Sequence, residues 1–194
     1  MDPSSERPLL ARLRRGDPAA FEEAYARHGP RIFNFLARMT GNRELAEDLH
    51  QETWIKLAVH AHRLTEETDL GAWLYTVARN VARSHLRTAK ATPRTEAFQH
   101  DAAHDGPSPL EWAAASETEA RVERALLEIP LPFREILLLV VVEGLDHDKV
   151  ARVLGLTGEA VRQRLARARA KLGERLGERF LPARSTLTED PDAA

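Results

Sequence analysis

The sequence predicts an all-α protein of two helical domains joined by a flexible linker. Three observations carry this. Good helix formers (Ala, Leu, Arg, Glu) abound, while aromatic residues make up only 6% of the 194 residues. Apolar residues recur at helical spacing in both halves of the chain. Between the halves lies ATPRTEAFQHDAAHDGPSP, residues 91–109, with three Pro and no period. The expected boundaries are a first domain over 1–90, a linker over 91–112, a second domain over 113–181 and a disordered tail over 182–194.

In the first half, Asp17 is the expected N-cap of a helix with Pro18 at its first position. Phe21, Ala24 and Tyr25 share one face. Ile32, Phe33, Leu36 and Met39 form a second stripe, and Gly29-Pro30 marks a break or kink between the two. Asn42 caps the next helix, where Leu45, Leu49 and Trp54 lie near one face. Asp69 caps a further helix after a short polar turn.

The second half resumes helical pattern near Leu110. SETEARVERALLEIP stops at Pro130. LPFREILLLVVVEGL is apolar enough to be buried. Its Val residues favour a strand, but Phe133, Ile136, Leu137 and Val140 keep helical spacing, which decides for helix. Then come Asp146 as N-cap, Gly155 as a left-handed turn residue and Thr157 as a second N-cap. A short helix, a Gly-containing turn and another helix make a helix-turn-helix.

Composition narrows the function classes. The chain has no Cys, which excludes disulfides and thiolate metal sites. The N-terminus lacks the apolar core of a signal peptide. The longest apolar run, Ile136 to Val142, is far shorter than the roughly 20 residues that span a bilayer. A soluble, cytoplasmic protein without membrane insertion is expected.

Charge is distributed unevenly within a net of −2. From Ala160 to Gly173 there are five cations and no acids. On a helical wheel Val161, Leu165, Ala168 and Leu172 form the buried stripe. Arg162 and Arg169 flank it on one side; Arg164, Arg167 and Lys171 lie on the other. Glu159, Gln163, Ala166 and Ala170 point outward. A small-residue face between two cation rows suits a helix seated in a DNA groove, with Arg162 and Gln163 in the base-reading half. A solvated charged face has the same composition.

A second basic row, Arg79, Arg83 and Arg87, falls at i, i+4 and i+8. Lys90 and Arg94 follow, and no acid occurs from Leu70 to Thr95. Trp73 and Tyr75 lie just upstream. They are either core residues or stacking partners for single-stranded nucleic acid. Between the basic surfaces, Glu44, Glu47, Asp48 and Glu52 give one helix an acidic face, which suits protein docking better than DNA.

In this order the pieces resemble a bacterial sigma factor of the extracytoplasmic-function (ECF) group of the sigma-70 family, over about Leu9 to Phe180. AEDLHQETW is similar to the polymerase-docking signature of sigma region two. WLYTVARNVARSHLR resembles the promoter-melting and minus-ten segment. The stretch from Leu126 to Leu172 resembles sigma region four. The resemblance implies that Glu47, Asp48, Gln51 and Glu52 meet the beta-prime clamp of core RNA polymerase, with the beta flap as a further contact. It implies that Arg79, Asn80, Arg83, Arg87 and Lys90, with Trp73, meet minus-ten DNA. The turn LTEETDL (Thr65, Glu66, Thr68, Asp69) would capture a flipped base of the non-template strand, offsetting the few kcal/mol that extraction costs. Lys149, Thr157, Glu159, Arg162, Gln163, Arg164, Arg167, Arg169 and Lys171 would lie at the minus-thirty-five duplex. Promoter DNA, double- and single-stranded, and an anti-sigma factor are the other implied partners. Free of polymerase, the domains would pack on each other or on that anti-sigma, covering both basic rows.

Three positions depart from the family pattern. His50 stands where an apolar residue is usual. Lys149-Val150-Ala151 replaces Glu-Ile-Ala, and Glu159-Ala160-Val161 replaces Gly-Thr-Val. A Glu at position 159 could accept from a cytosine amino group or simply favour the helix dipole.

Two rivals remain. A two-domain helix-turn-helix regulator would need a sensor in the first half, where helices, an acidic face and a basic row stand instead. An enzyme would need a site. His100, Asp101, His104 and Asp105 have metal-ligand spacing but fall in the linker without supporting residues. There is no phosphate loop or nucleophile elbow. No catalytic residue, metal or cofactor is expected.

Overall fold

The computed structural model describes residues 3–91 and 117–177. The linker from 92 onward, with His100 and His104, and the tail over 182–194 lie outside the described residues. Every regular element described is helical. The first module comprises α1 (Pro3–Arg14), α2 (Pro18–Thr40), α3 (Arg43–His60), a short 3₁₀ turn (Ala61–Arg63) and α4 (Leu70–Ala91). The second comprises α5 (Glu117–Glu128), α6 (Leu131–Leu137), a π turn (Leu138–Val142), α7 (His147–Leu154) and α8 (Gly158–Leu176).

Local chemistry starts these helices where expected. The Asp17 carboxylate accepts from the Ala19 N–H at 3.0 Å, and Asn42 Oδ1 accepts from Leu45 at 2.9 Å. Asp69 accepts from Ala72, Asp146 from Lys149 and Thr157 from Ala160. Each satisfies one orphan N–H of a first turn. Gly155 closes α7 at φ 64°, a left-handed conformation that costs Gly nothing.

The structure corrects two readings. Of the break or kink expected at Gly29-Pro30, the break does not occur: α2 runs continuously from Pro18 to Thr40. Proline in a helix interior costs about 3 kcal/mol. Burial of the α2 face (Ala24, His28, Gly29, Ile32, Phe35) on α3 and α4 outweighs it. The segment after Phe133 is helical, as its period says, but it is not wholly buried. Leu138 and Leu139 are inside, whereas Val141 and Val142 are exposed. Helix α1, which opens the core with Leu9, Leu10 and Leu13, has no counterpart in the sequence reading.

The two modules share one continuous hydrophobic cluster, from Leu9 through Leu74 and Leu126 to Ala168. The seam brings α2 against α5 and α4 against α7. At Gly41 a Cβ would sit 2.8 Å from a Leu127 methyl, so glycine admits α5 there. The Arg134 guanidinium donates to Met39 O (2.6 Å), Leu126 O (2.8 Å) and the Leu127 carbonyl. One cation thus satisfies orphan carbonyls at the ends of α2 and α5, where the helix dipoles are negative.

Candidate polymerase and nucleic-acid interfaces

Helix α3 presents Glu47, Asp48, Gln51 and Glu52 to solvent. Glu47 pairs with Arg43 and Glu52 with Lys56, each at 3.1 Å within the helix. Among the described residues no ion pair engages Asp48. Two residues missed from sequence complete this face. Ile55 is 54% exposed and Val59 57% exposed. Their spacing from Asp48, i+7 and i+11, puts them on its side of the wheel. That spacing was the available signal.

Beneath the face, His50 explains one departure from the family pattern. Its ring lies among Tyr25, Phe33 and Trp54. Nε2 accepts the Trp54 indole N–H at 2.8 Å. Burial lowers the imidazole pKa, which keeps the neutral form that an indole donor requires.

The loop before α4 is pinned at both ends by buried Leu64 and Leu70. Thr65 and Thr68 close it: the Thr65 N–H donates to Thr68 Oγ1 at 2.9 Å, and the Thr68 N–H to Thr65 O at 3.1 Å. Glu66 and Thr68 line a cavity of about 340 Å³, with Asp69, Glu6, Arg7 and Lys149. Asp69 faces α7, where Lys149 Nζ lies at 3.0 Å and Arg152 at 3.6 Å. Burial alone would raise the Asp69 carboxyl. The Ala72 N–H, Lys149 and Arg152 outweigh it and hold the carboxyl below its usual range. A Glu at position 149, as in the family pattern the sequence resembles, would repel Asp69. Lys149, expected at minus-thirty-five DNA, is engaged with this loop instead.

On α4 the basic row divides. Asn80 and Arg87 are exposed. Arg79 is not: its side chain is 12% exposed and its Nε donates to Glu135 at 3.1 Å. Arg83 Nη1 reaches the same carboxylate at 3.2 and 3.3 Å. Glu135 belongs to α6 and is completely buried. The acids missing from Leu70–Thr95 are therefore supplied by the other module. Trp73 is half-buried against the core, and Tyr75 is inside it, with its hydroxyl donating to Glu143 at 2.5 Å. Neither aromatic stands free on the surface. The Lys90 side chain lies outside the described residues.

The same carboxylate of Glu143 receives Arg31 Nε at 3.1 Å. The π turn sets this up. The Glu143 N–H donates to Leu138 O at 2.8 Å, five residues back. One residue of α-helix corresponds to about 100° of rotation, so an ordinary turn would aim Glu143 elsewhere.

Helix α8 carries the third surface. Val161, Leu165 and Ala168 are buried, as the wheel requires. Arg162, Gln163, Arg167 and Arg169 are exposed, and Arg164 is half-exposed. No ion pair within the described residues engages these arginines. Thr157 is taken up as the N-cap. Lys171 turns back, its ammonium 5.7 Å from the centre of the Phe133 ring. Gln163 Nε2 donates to Glu159 at 3.1 Å.

Two family models match the chain: Sigma-70 region 2 over residues 24–92 and Sigma-70, region 4 over residues 119–172. The RNA polymerase sigma factor CarQ of Myxococcus xanthus is 35% identical over 173 residues, covering 87% of this chain and 96% of its own length. The chain belongs to the sigma-70 family of RNA polymerase sigma factors. Within that family it is of the extracytoplasmic-function group: the ECF sigma factor SigM of Mycobacterium tuberculosis is 31% identical over 174 residues, with 89% of this chain and 85% of its own covered. Among solved structures, CnrH in complex with the cytosolic domain of CnrY superposes with a TM-score of 0.67 at 26% identity, covering 87% of this chain and 94% of that one. The sigma factor RpoE from Bartonella quintana shares the fold, at 22% identity and a TM-score of 0.62.

Among the described residues, no helix of this sigma factor is long and apolar enough to cross a membrane. Region 2 corresponds to the module carrying the α3 face and the α4 row. Region 4 contains the helix-turn-helix of α7 and α8.

Proposed function

We propose that this sigma factor binds core RNA polymerase through α3, reads and melts promoter DNA with α4 and the Thr65–Asp69 loop, and holds the minus-thirty-five duplex with α8. The supporting observation is a division of labour by charge. One exposed acidic and apolar face (Asp48, Gln51, Glu52, Ile55, Val59) stands apart from two arginine rows. Acids repel DNA phosphates and arginines attract them. On this reading Arg162, Arg164, Arg167 and Arg169 neutralise phosphates, and Gln163 reads a base edge.

The chain supplies no catalytic group on this account; the polymerase makes the phosphodiester bonds. Its place of action is the cytoplasm, and its regulator is an anti-sigma factor, an inference that draws on the CnrH complex with a cytosolic protein segment.

Core association is the test. Asp48→Arg with Gln51→Ala should lose core polymerase in a pull-down while circular dichroism stays helical. Undiminished association would refute the α3 assignment.

A further inference from the structure

We propose that His50 is a positioning residue for polymerase docking: as a neutral acceptor it holds the Trp54 indole beneath the α3 face, and on protonation it gives up Trp54 for a carbonyl of α2. This deepens, and rests on, the reading of α3 as the polymerase-docking surface.

His50 Nε2 has two neighbours of opposite kind. The Trp54 indole nitrogen lies at 2.8 Å and the Gly29 carbonyl oxygen at 3.1 Å. An indole N–H only donates, and a carbonyl oxygen only accepts. A ring nitrogen carries either a lone pair or a proton, so Nε2 serves one neighbour at a time. Neutral, with its proton on Nδ1, the ring accepts from Trp54. As imidazolium it donates to Gly29 and sets two N–H groups against each other on the Trp54 side. The exchange is also between helices, since Trp54 belongs to α3 and Gly29 to α2.

Trp54 cannot answer that conflict by turning alone. It is 4% exposed, and its ring centre lies 4.8 Å from Tyr25 and 5.7 Å from Phe21. Tyr25 in turn lies 5.6 Å from the His50 ring. Rings packed this closely move together or not at all. Gln51 follows His50 in the chain and Ile55 follows Trp54, and both are exposed on the α3 face. A shift of the two rings therefore displaces the backbone that carries two docking residues.

The surroundings fix the direction of the switch. Burial lowers the imidazole pKa from 6.5, with the Gly29 carbonyl pulling the other way. From α2 the titratable group facing the ring is Tyr25. The Arg43 guanidinium stands 5.8 Å from the centre of the Phe33 ring, which also meets His50. Glu47, three residues before His50 on α3, pairs with Arg43. His28 adjoins Gly29 but packs toward Gly71 of α4. The docking form is thus the neutral one, present at pH 7 and lost as pH falls below 6.5 through the lowered pKa. An apolar residue at position 50, as in the family pattern, neither accepts from the indole nor titrates.

The experiment measures affinity of the full chain for core polymerase at pH 7 and pH 5 by anisotropy of a fluorescein label. His50→Gln keeps an acceptor for Trp54 but has no titration in this range, so it should bind like the parent at pH 7. Between the two pH values the parent should lose about fivefold more affinity than His50→Gln, the low end of ordinary coupling between sites. His50→Leu should bind more weakly than His50→Gln at both. In the free chain the Trp54 indole N–H resonance, assigned by its absence in Trp54→Phe, should move with pH in the parent and stay still in His50→Gln. Equal loss of affinity in parent and His50→Gln overturns the role of His50. If His50→Gln loses helix by circular dichroism, the parent's indole resonance decides, and one that does not move between pH 7 and pH 5 overturns it. The docking face itself fails separately, by undiminished binding of Asp48→Arg with Gln51→Ala at pH 7.

Discussion

Arg79 and Glu135 lie 56 residues apart in sequence and 3.1 Å apart in space, in an ion pair whose carboxylate has no solvent exposure. The pair joins sigma region 2 to sigma region 4, so it belongs to stability and to function together.

Its contribution to stability follows from burial. Removing one member of a buried pair costs about 3–5 kcal/mol. Arg83 is 41% exposed and screened by water, which reduces the effect. Glu135→Ala should therefore lower stability by about 1–3 kcal/mol in urea denaturation. Arg79→Ala combined with Glu135→Ala should cost less than the sum of the single changes. Simple additivity would show that the two groups do not interact.

His28 makes stability depend on pH. The ring is buried and Nε2 has no hydrogen-bond partner. Burial, reinforced by Arg27 and Arg31, lowers its pKa from 6.5 to about 4. The unfolded chain takes up a proton near pH 6.5 that the folded chain refuses until about pH 4. Stability is thus full above that window and falls as pH drops through it, by about 2 kcal/mol at pH 5. His28→Leu should flatten the difference between melting temperatures at pH 7 and pH 5. A variant with the parent's full acid sensitivity would assign the effect elsewhere.

The α8 surface predicts two kinds of loss. Arg167→Ala should weaken duplex binding uniformly across sequences and reduce the salt slope by about one. Gln163→Ala should relax preference at one base pair by about 1–3 kcal/mol. Because Glu159 holds the Gln163 amide, Glu159→Ala should relax preference at that same position. Unchanged binding by Arg167→Ala and by Arg162→Ala would remove α8 from the groove.

Features set by near neighbours were legible in the sequence. The caps at Asn42, Asp69, Asp146 and Thr157 each bond an N–H three residues away, and the α8 seam of Val161, Leu165 and Ala168 follows one period. The outward set on α8 followed from the same wheel. The α4 arginines were legible as a row, and packing over them was expected, but the carboxylate that meets Arg79 and Arg83 was not, because Glu135 lies far off in sequence. Nor does periodicity announce the π turn that aims Glu143 inward. Pro30 signals a break by local rules, and only the packing of α2 overrides it. Ile55 and Val59 are apolar residues of the kind a helix normally buries, so the sequence pattern does not mark them as exposed beside Asp48.

Transcription itself tests the central claim most directly. Core polymerase with this chain, given a fragmented genomic library, should yield transcripts that start at a limited set of shared promoter sequences, and these should vanish with Asp48→Arg and Gln51→Ala. A transcript set no different from that of core polymerase alone would contradict the assignment of this chain as an initiation factor.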